Sequence, residues 1–417
     1  MRVALVHDWL TGMRGGEKCL EVLCRLWPDA DLYTLIHRHG HVSPAIERMN
    51  IRTSFLQHVP GIFRNYRYFL PLMPMAIESF RLKDYDLVVS LSHCVAKSVR
   101  VPAGVPHVCY CFTPMRYAWH MREAYFGKRA GIEDGGSRIE DRAEGTDPVA
   151  RRSSIFHPLS SILSSGANLA RSSILADLRR WDRATAERVT HFVAISHTVE
   201  QRIGDCYGRE STVIYPPVDV EFYTPAAVPR EDFYLCVSAL TPYKRLDLAI
   251  EVCNRSGRRL MMIGDGPELA RLRALAGPTV KLLGWQSDET IRDHYRHCRA
   301  LVFPGVEDFG IVPLEAQACG TPVIALAAGG ATETVIAASP MHVGTGLFFA
   351  RQTPDSLAHA IVRFEAGKAQ FCENLARTNA ECFRAGRFAE EMQNFVAGVF
   401  SQTAIQQPRS QPARAAA

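Results

Sequence analysis

Short buried strand patterns alternate with helical patterns along most of this chain, and this alternation narrows the possible folds more than any other feature. The first strand pattern spans residues 2–7 and is followed by a glycine-rich loop and a helical pattern from Glu17 through Leu26. Strands that alternate with helices predict a parallel, doubly wound α/β sheet. Further strand patterns of this first series occupy residues 86–90, 106–110, 190–194 and 211–215.

A second series of the same kind begins after the extended segment 215–219, which contains the pair Pro216 and Pro217. A proline pair ends helices and stiffens the chain, so we expect two similar halves hinged near residue 217. The predicted domains are residues 1–216 and 217–385. A helix at about 386–400 is expected to pack back on the first domain, and the polar tail 401–417 to be disordered. The strand patterns of the second series lie at 233–237, 259–263, 280–283, 300–303 and 322–326.

Composition excludes several classes of protein. The chain has 417 residues, which is too long for one ordinary hydrophobic core, and its net charge of +5 makes no case for nucleic-acid binding. No apolar run approaches the roughly 20 residues that span a bilayer, and the N-terminus lacks the apolar region of a signal peptide, so we expect a cytoplasmic location. The twelve cysteines are scattered, which fits reduced thiols.

The stretch 127–180, within the first series, breaks the alternation. Residues 128–152 have the composition of a solvated loop. Within 171–181, apolar residues at helical spacing lie beside arginines, a pattern that suits either an anionic membrane surface or packing against the domain. The apolar residues are Ile174, Leu175, Leu178 and Trp181, and the cations are Arg171, Arg179 and Arg180.

The most informative segment for function runs from Glu307 to Glu315. Two carboxylates bracket Gly310, after the strand pattern 300–303 and before a helix expected to start near Val312 or Pro313. The N–H groups and the positive dipole end of such a helix favour a phosphate. The two carboxylates then lie on either side of one ligand.

Four loops of the second half follow predicted strands and should open at the same edge of the sheet, where ligands bind in such folds. Together they supply what a nucleotide diphosphate needs. Lys244 and Arg245 provide positive charge, Gly264 and Gly266 allow close backbone approach, and Glu315 is suited to two ribose hydroxyls. The loops are 239–245, 264–268, 284–289 and the segment around Glu307.

The segments 238–245, 263–268, 283–285 and 307–315 resemble the retaining family 4 glycosyltransferases, which have the GT-B fold of two facing Rossmann-like domains around an interdomain cleft. The resemblance runs from Met1 to about Phe400 and is most specific over residues 233–335. The opening, residues 7–17, resembles a mannosyltransferase-like branch that acts in bacterial O-antigen and exopolysaccharide assembly.

This resemblance implies roles for individual residues, with Glu307 and Lys244 as the catalytic pair. No metal or other cofactor is expected, and the leaving phosphate itself is expected to accept the acceptor proton. The implied donor-sugar and diphosphate residues are Gly15, Gly16, Lys244, Arg245, Phe309, Gly310, Ile311 and Val312. The implied nucleoside residues are Gly264, Gly266, Trp285 and Glu315. The acceptor-side candidates are Asp8, Arg116, Trp119 and His120.

The implied reaction moves a hexose, with mannose favoured, to a glycan or to an acceptor linked to polyprenyl diphosphate at the inner face of the cytoplasmic membrane. GDP-mannose is the favoured donor and a UDP-sugar is possible. Two positions depart from the family pattern: Ala239 stands where many relatives have Arg, and Phe112 where they often have His. Two alternatives stay open, a GT-B nucleotide-sugar epimerase or hydrolase and a non-catalytic sugar-nucleotide-binding module. A dinucleotide-dependent oxidoreductase is disfavoured because the first loop lacks the Gly-x-Gly-x-x-Gly pattern.

Overall fold

Two parallel sheets form the core of the protein, which is described here from a computed structural model covering residues 1–116, 118–119, 166–367 and 369–406. The first sheet has seven strands in the order β3-β2-β1-β4-β5-β6-β7. Every neighbouring pair is parallel. Its strands are β1 (Val3–His7), β2 (Asp31–Thr34), β3 (Asn50–Thr53), β4 (Leu87–Ser92), β5 (His107–Cys111), β6 (His191–Ala194) and β7 (Ser211–Val213).

The second sheet has six strands in the order β10-β9-β8-β11-β12-β14, again with parallel neighbours throughout. A separate parallel pair joins β13 to β15. These strands are β8 (Tyr234–Val237), β9 (Leu260–Ile263), β10 (Val280–Gly284), β11 (Ala300–Phe303), β12 (Val323–Leu326), β13 (Val343–Gly344), β14 (Gly346–Phe349) and β15 (Gln370–Phe371).

Helices connect the strands and cover the sheets. In the first helix Cys19, Leu20 and Leu23 are buried against the sheet while the opposite side is partly exposed. The α-helices of the first half are α1 (Gly15–Leu26), α2 (Pro44–Glu47), α3 (Ile62–Asn65), α4 (Met73–Glu78), α5 (Gly166–Thr185) and α6 (His197–Tyr207). Those of the second half are α7 (Leu246–Ser256), α8 (Leu269–Leu275), α9 (Asp288–His297), α10 (Ile311–Ala318), α11 (Ala331–Thr334), α12 (Pro354–Glu365), α13 (Glu373–Glu381) and α14 (Ala385–Gln406).

The two sheets have the same strand order around their first strands, β1 and β8, and this order indicates where a ligand would bind. Strand order reverses between β1 and β4 in one sheet and between β8 and β11 in the other. Open α/β sheets bind ligands beyond the carboxyl ends of the strands at such a reversal. The loops after β1 and β11 are therefore the places to look for a ligand.

The doubly wound fold is confirmed, although several element ends differ from the sequence expectation. Helix α1 begins at Gly15 rather than Glu17, because the Arg14 N–H donates to the Glu17 carboxylate and draws both glycines into the first turn. Strands β2, β3 and β14 were not expected, and neither was the pair of β13 and β15. Helix α14 returns to the first sheet, where Phe388 packs on Tyr110 with ring centroids 5.3 Å apart.

Within the described residues, none of the helices combines the length and the apolarity that crossing a membrane requires. Helix α5 contains most of the basic stretch considered above. Its Leu175 and Leu178 side chains are buried in the core of the first domain, and the Trp181 N–H donates to Glu78 at 3.0 Å. Packing against the domain, one of the two expectations for this stretch, is what the structure shows.

Candidate active site

The carboxyl edges of the two sheets face each other across a cleft. Arg116, which follows β5, pairs with Asp308, which follows β11. Ser196, which follows β6, donates its hydroxyl to the Asp308 carbonyl at 2.5 Å. Glu333, which follows β12, accepts the first N–H groups of α6 from Thr198 at 3.1 Å and from its neighbour at 2.8 Å. These contacts hold the two edges together around the loops that carry the predicted site.

Two helix N-termini meet in this cleft. A Cβ atom built on Gly15, the first residue of α1, lies 3.0 Å from Ile311 Cδ1, the first residue of α10. Helix α10 starts one or two residues earlier than expected because Gly310, at φ +94°, provides its N-cap. The first-turn N–H groups of both helices carry partial positive charge. The space between them is therefore suited to an anion with more than one charged group.

Lys244 and Glu307 form an ion pair beside these helix ends, so the structure brings the two predicted catalytic side chains together. Lys244 closes a short 3₁₀ turn, and its side chain is 13% exposed. Burial and, to a smaller extent, the Arg116 cation lower the pKa of Lys244 to about 7, while Asp308 opposes this change. Glu307 is held through its carbonyl, which accepts the Gly330 N–H at 2.8 Å.

Arg245 has a different environment from its neighbour. Its guanidinium lies 3.2 Å from Asp247 Oδ1, and its backbone is in the left-handed region at φ 50°. We expected an anion to compensate for a cation at this helix start, and Asp247 supplies that anion from within the protein. The diphosphate role of Arg245 stays a prediction.

Glu315 lies inside α10 and points to the first domain. Its carboxylate oxygens lie 3.2 Å from Lys18 Nζ and 3.2 Å from the Tyr295 hydroxyl. Glu315 raises the pKa of Lys18 more than burial lowers it, so Lys18 stays charged. Trp285, in the loop after β10, is 76% exposed. Glu315 and Trp285 remain candidates for the ribose and the base.

Gly264 and Gly266 are required for a reason other than the one expected. A Cβ on Gly264 would lie 1.8 Å from the Ser238 carbonyl oxygen, and one on Gly266 would lie 2.4 Å from the Leu240 carbonyl oxygen. The loop after β9 therefore crosses directly over the loop after β8. Within this structure the close approach that needs glycine is between two protein backbones.

Asp308 is the functional residue that the sequence reasoning missed most clearly. Its carboxylate is buried and pairs with Arg116 through one oxygen and with Arg202 of α6 through the other. Burial acts to raise the pKa of Asp308, but the two arginines outweigh it and lower that pKa. This residue directly follows Glu307, so the first domain fixes the loop that carries the predicted sugar carboxylate. Its only sequence signal was its position between two candidates, Glu307 and Phe309.

Two acceptor-side candidates serve other purposes. Asp8 is fully buried, and its carboxylate accepts four backbone N–H groups from residues 93–96, at 2.7–3.0 Å. It anchors the loop after β4 and does not reach the cleft. The Trp119 N–H donates to Asp182 at 2.8 Å, and the Trp119 ring packs under Arg179. His120 lies outside the described residues, so Arg116 is the acceptor-side candidate that the structure places at the cleft.

His7 was also missed as a site residue. It ends β1, is fully buried, and neither ring nitrogen has a hydrogen-bond partner. Its Cε1 atom lies 3.5 Å from a Cβ built on Gly16. The Phe112 ring stands edge-on to the His7 ring, with 6.4 Å between the ring centroids. Its Nε2 is 3.8 Å from Glu17. The imidazole is thus packed behind the first turn of α1, beside Phe112.

Comparison with solved structures defines the class of fold. HepE of Anabaena in complex with UDP has a TM-score of 0.65 at 16% identity, over 95% of this chain and 100% of that one. Sucrose-phosphate synthase from Thermosynechococcus elongatus has a TM-score of 0.67 at 17% identity, over 96% and 100%. With its two parallel-sheet α/β domains, the protein has the GT-B fold expected from its sequence.

The match to a family model describes the second half of the chain more specifically than the fold does. Residues 223–381 match the model described as "Glycosyl transferases group 1", so the chain carries a glycosyltransferase group 1 domain. D-inositol 3-phosphate glycosyltransferase of Kineococcus radiotolerans is 29% identical over 217 residues, covering 43% of this chain and 50% of that protein. The GDP-mannose-dependent alpha-(1-6)-phosphatidylinositol monomannoside mannosyltransferase of Mycobacterium tuberculosis is 29% identical over 198 residues, covering 40% and 50%. The chain thus spans about half the length of these curated relatives.

Proposed function

We propose that this protein is a retaining glycosyltransferase that moves a hexose from a nucleotide diphosphate sugar to a hydroxyl of a glycan or lipid-linked acceptor. The single observation that carries the proposal is the convergence of the α1 and α10 N-termini with Lys244 in one cleft. Helix ends and a nearby cation stabilise the negative charge that develops on a departing diphosphate. The group 1 domain match supports the same chemistry.

In this proposal the two carboxylates bind different parts of the donor. Glu307 binds the sugar hydroxyls, and Glu315 binds the ribose after its contact with Lys18 opens. Phe309 is buried against Tyr215, so its contribution to the donor is through the backbone. The leaving phosphate accepts the acceptor proton on the same face of the sugar. Proximity of acceptor and donor in one cleft then supplies much of the rate acceleration.

Mannose with a GDP carrier is our favoured donor. The support comes from the GDP-mannose-dependent relatives, while HepE was solved with UDP, so a UDP-sugar is the competing choice. In this proposal the exposed Trp285 ring stacks on the base of either donor. A thermal-shift screen with GDP, UDP, GDP-mannose and UDP-glucose separates the two, because a ligand that binds only the folded protein raises its melting temperature.

The catalytic test uses hydrolysis of the nucleotide sugar, with and without a glycan acceptor. Wild-type protein should hydrolyse its donor slowly, and Glu307→Ala or Lys244→Ala should lower that rate at least about 100-fold. Asp355→Ala, at an exposed ion pair of the same domain, is the matched control. Wild-type turnover in both site variants would refute the site assignment. Release of an epimerised free sugar without any acceptor would favour the epimerase alternative.

We place the proposed contact with an anionic membrane on the surface of residues 64–83 rather than on α5. Tyr68, Leu72 and Met75 are exposed there by 83%, 40% and 59%, and Arg64 and Arg81 are exposed nearby. Apolar side chains surrounded by cations suit the boundary between headgroups and acyl chains. A peripheral enzyme held in this way would reach a lipid-linked acceptor.

Vesicle co-sedimentation tests this surface. The variant Tyr68→Ser with Leu72→Ser should lose most binding to anionic vesicles, and wild-type binding should weaken with salt. Arg180→Ser on α5, whose side chain is exposed and pairs with Asp177, is the matched control. The proposal would be contradicted if the double variant bound anionic vesicles as well as wild type does. It would also be contradicted if wild type bound neutral vesicles as well as anionic ones.

A further inference from the structure

Three metal-ligating side chains meet at the carboxyl edge of the first sheet, in the connection between β2 and α2. His37 Nε2 lies 3.2 Å from Glu47 Oε2, and His39 Nδ1 lies 3.0 Å from the same oxygen. All three donor atoms are within 4.8 Å of one another. From this cluster we propose a binding site for one divalent transition-metal ion, with zinc as the first candidate.

The distances suit a shared ion. In a tetrahedral zinc site, bonds of about 2.0–2.2 Å to imidazole nitrogen and carboxylate oxygen separate neighbouring ligand atoms by roughly 3.3–3.5 Å. The separations of 3.2 and 3.0 Å from the Glu47 oxygen are shorter than this by at most about 0.5 Å, so the two imidazoles need to move only slightly away from the carboxylate to hold an ion. The His39 side chain is 90% exposed, so a small ring rotation brings it closer to His37. Two imidazoles and one carboxylate select a transition metal over calcium or magnesium, which prefer oxygen ligands.

His37 and Glu47 are already oriented for this role. His37 Nε2 is buried and faces Glu47 Oε2 at 3.2 Å. The His37 backbone is held at both ends by Gln57, whose amide accepts the N–H at 2.8 Å and donates to the carbonyl at 3.1 Å. The second Glu47 oxygen accepts the Gly40 N–H at 2.8 Å. Contacts of this kind around a metal site fix the ligands and contribute to affinity.

The site lies next to the loop between β1 and α1 but is separate from the proposed diphosphate site. The Arg38 N–H donates to the Leu10 carbonyl at 2.8 Å, and the Leu10 N–H donates to Ile36 at 2.9 Å. A metal ion would join the connection after β2 to Glu47, the last residue of α2, and so support this loop. Its predicted effect is on stability, and it does not depend on the proposed transferase activity.

The experiment titrates zinc into full-length, tag-free protein that has been stripped with a chelator, using a chromophoric competitor to measure affinity. We expect one equivalent to bind with a Kd below about 1 µM, and His37→Ala or Glu47→Gln to weaken binding at least about tenfold. Cobalt should give a visible absorption band in wild type that both variants lack. Zinc should also raise the melting temperature of wild type only.

Controls separate this site from other zinc ligands. His342→Ala removes an exposed imidazole in the second domain and should leave binding unchanged. Cys382→Ser removes an exposed thiol and should also leave it unchanged. No stoichiometric binding by wild type, or equal binding by wild type and His37→Ala, would overturn the proposal. Loss of binding in Cys382→Ser alone would overturn it too, since the thiol would then be the ligand.

Discussion

Lys18 Nζ lies 3.2 Å from Glu315 Oε1 and thereby joins the first helix of one sheet to the helix that faces it from the other. The same nitrogen is 3.9 Å from Asp288. Because Glu315 is the proposed ribose ligand, the lysine competes with the nucleoside for this carboxylate. In the proposed function, the contact between the two helices and the binding of the ribose therefore use the same carboxylate.

Replacing Lys18 with Met should therefore separate two effects. The melting temperature should fall, since removing the lysine leaves Glu315 without its cation, at a cost of about 1–2 kcal/mol for a partly exposed pair. Binding of the nucleoside diphosphate should tighten about 2–5-fold because the competitor is gone. Calorimetry measures the affinity, and Lys18→Arg serves as the charge-conserving control. Weaker binding in the Met variant would mean that Lys18 contacts the nucleotide itself.

Asp308→Asn should lower turnover without a matching loss of nucleotide affinity. The change leaves Arg116 and Arg202 facing each other without their shared anion, which should cost about 3 kcal/mol of stability. The neighbouring Glu307 should lose its fixed position, so the rate of donor hydrolysis should fall at least about tenfold. A change in Kd for the nucleoside diphosphate equal to the change in rate would contradict this positioning role. Asp355→Asn is the exposed control.

Nucleotide binding should depend on pH through Lys244. Its pKa is lowered to about 7 in the protein without ligand, and a diphosphate binds the protonated form. Binding therefore takes up a proton as pH rises above 7, and affinity should fall by up to about tenfold per pH unit between pH 7 and 9. Lys244→Arg keeps its charge across this range and should remove the dependence. Measurements start at pH 7 because phosphates themselves titrate near pH 6.

Asp8 should contribute to stability at neutral pH and lose that contribution in acid. Burial acts to raise its pKa, but His93 and the hydrogen bonds outweigh it and lower the pKa from 3.8 to about 2. A carboxyl with a lowered pKa stabilises the fold above pH 3.8, and the stabilisation disappears as pH falls through 2. The shift corresponds to about 2 kcal/mol.

Denaturant unfolding of Asp8→Asn checks this. The variant should unfold about 2–3 kcal/mol more easily than wild type at pH 7. The difference in the free energy of unfolding between wild type and variant should become smaller as pH falls from 4 towards 2. Asp29→Asn, at an exposed position, is the control and should match wild type. A gap that stays constant between pH 4 and 2 would contradict the lowered pKa.

Much of the fold was predictable because a buried parallel strand is a short apolar run between polar loops. The strand patterns at β1, β4, β8 and β11 met that description. Strands β2 and β3 did not: β3, Asn50–Thr53, lies at the sheet edge with alternate residues exposed, so burial did not impose an apolar run. The glycines at 15 and 16 looked like a loop because their helical conformation depends on the cap at Glu17.

Local patterns placed Glu307, Glu315 and Lys244 beside the carboxyl edge of a sheet, since each follows a recognisable strand. The partners of these residues were not predictable. Lys18 is 297 positions from Glu315, and Arg116 is 192 positions from Asp308. Residue type and spacing report on interactions within a few turns of chain, and so they identified two doubly wound halves and the loop from Glu307 to Gly310 before the N-terminus of α10. How the halves face each other depends on side-chain packing across the cleft, which joins Lys18 to Glu315 and Asp308 to Arg116 and Arg202. The burial of Asp8 was likewise decided by tertiary contacts, here with residues 93–96 of its own domain.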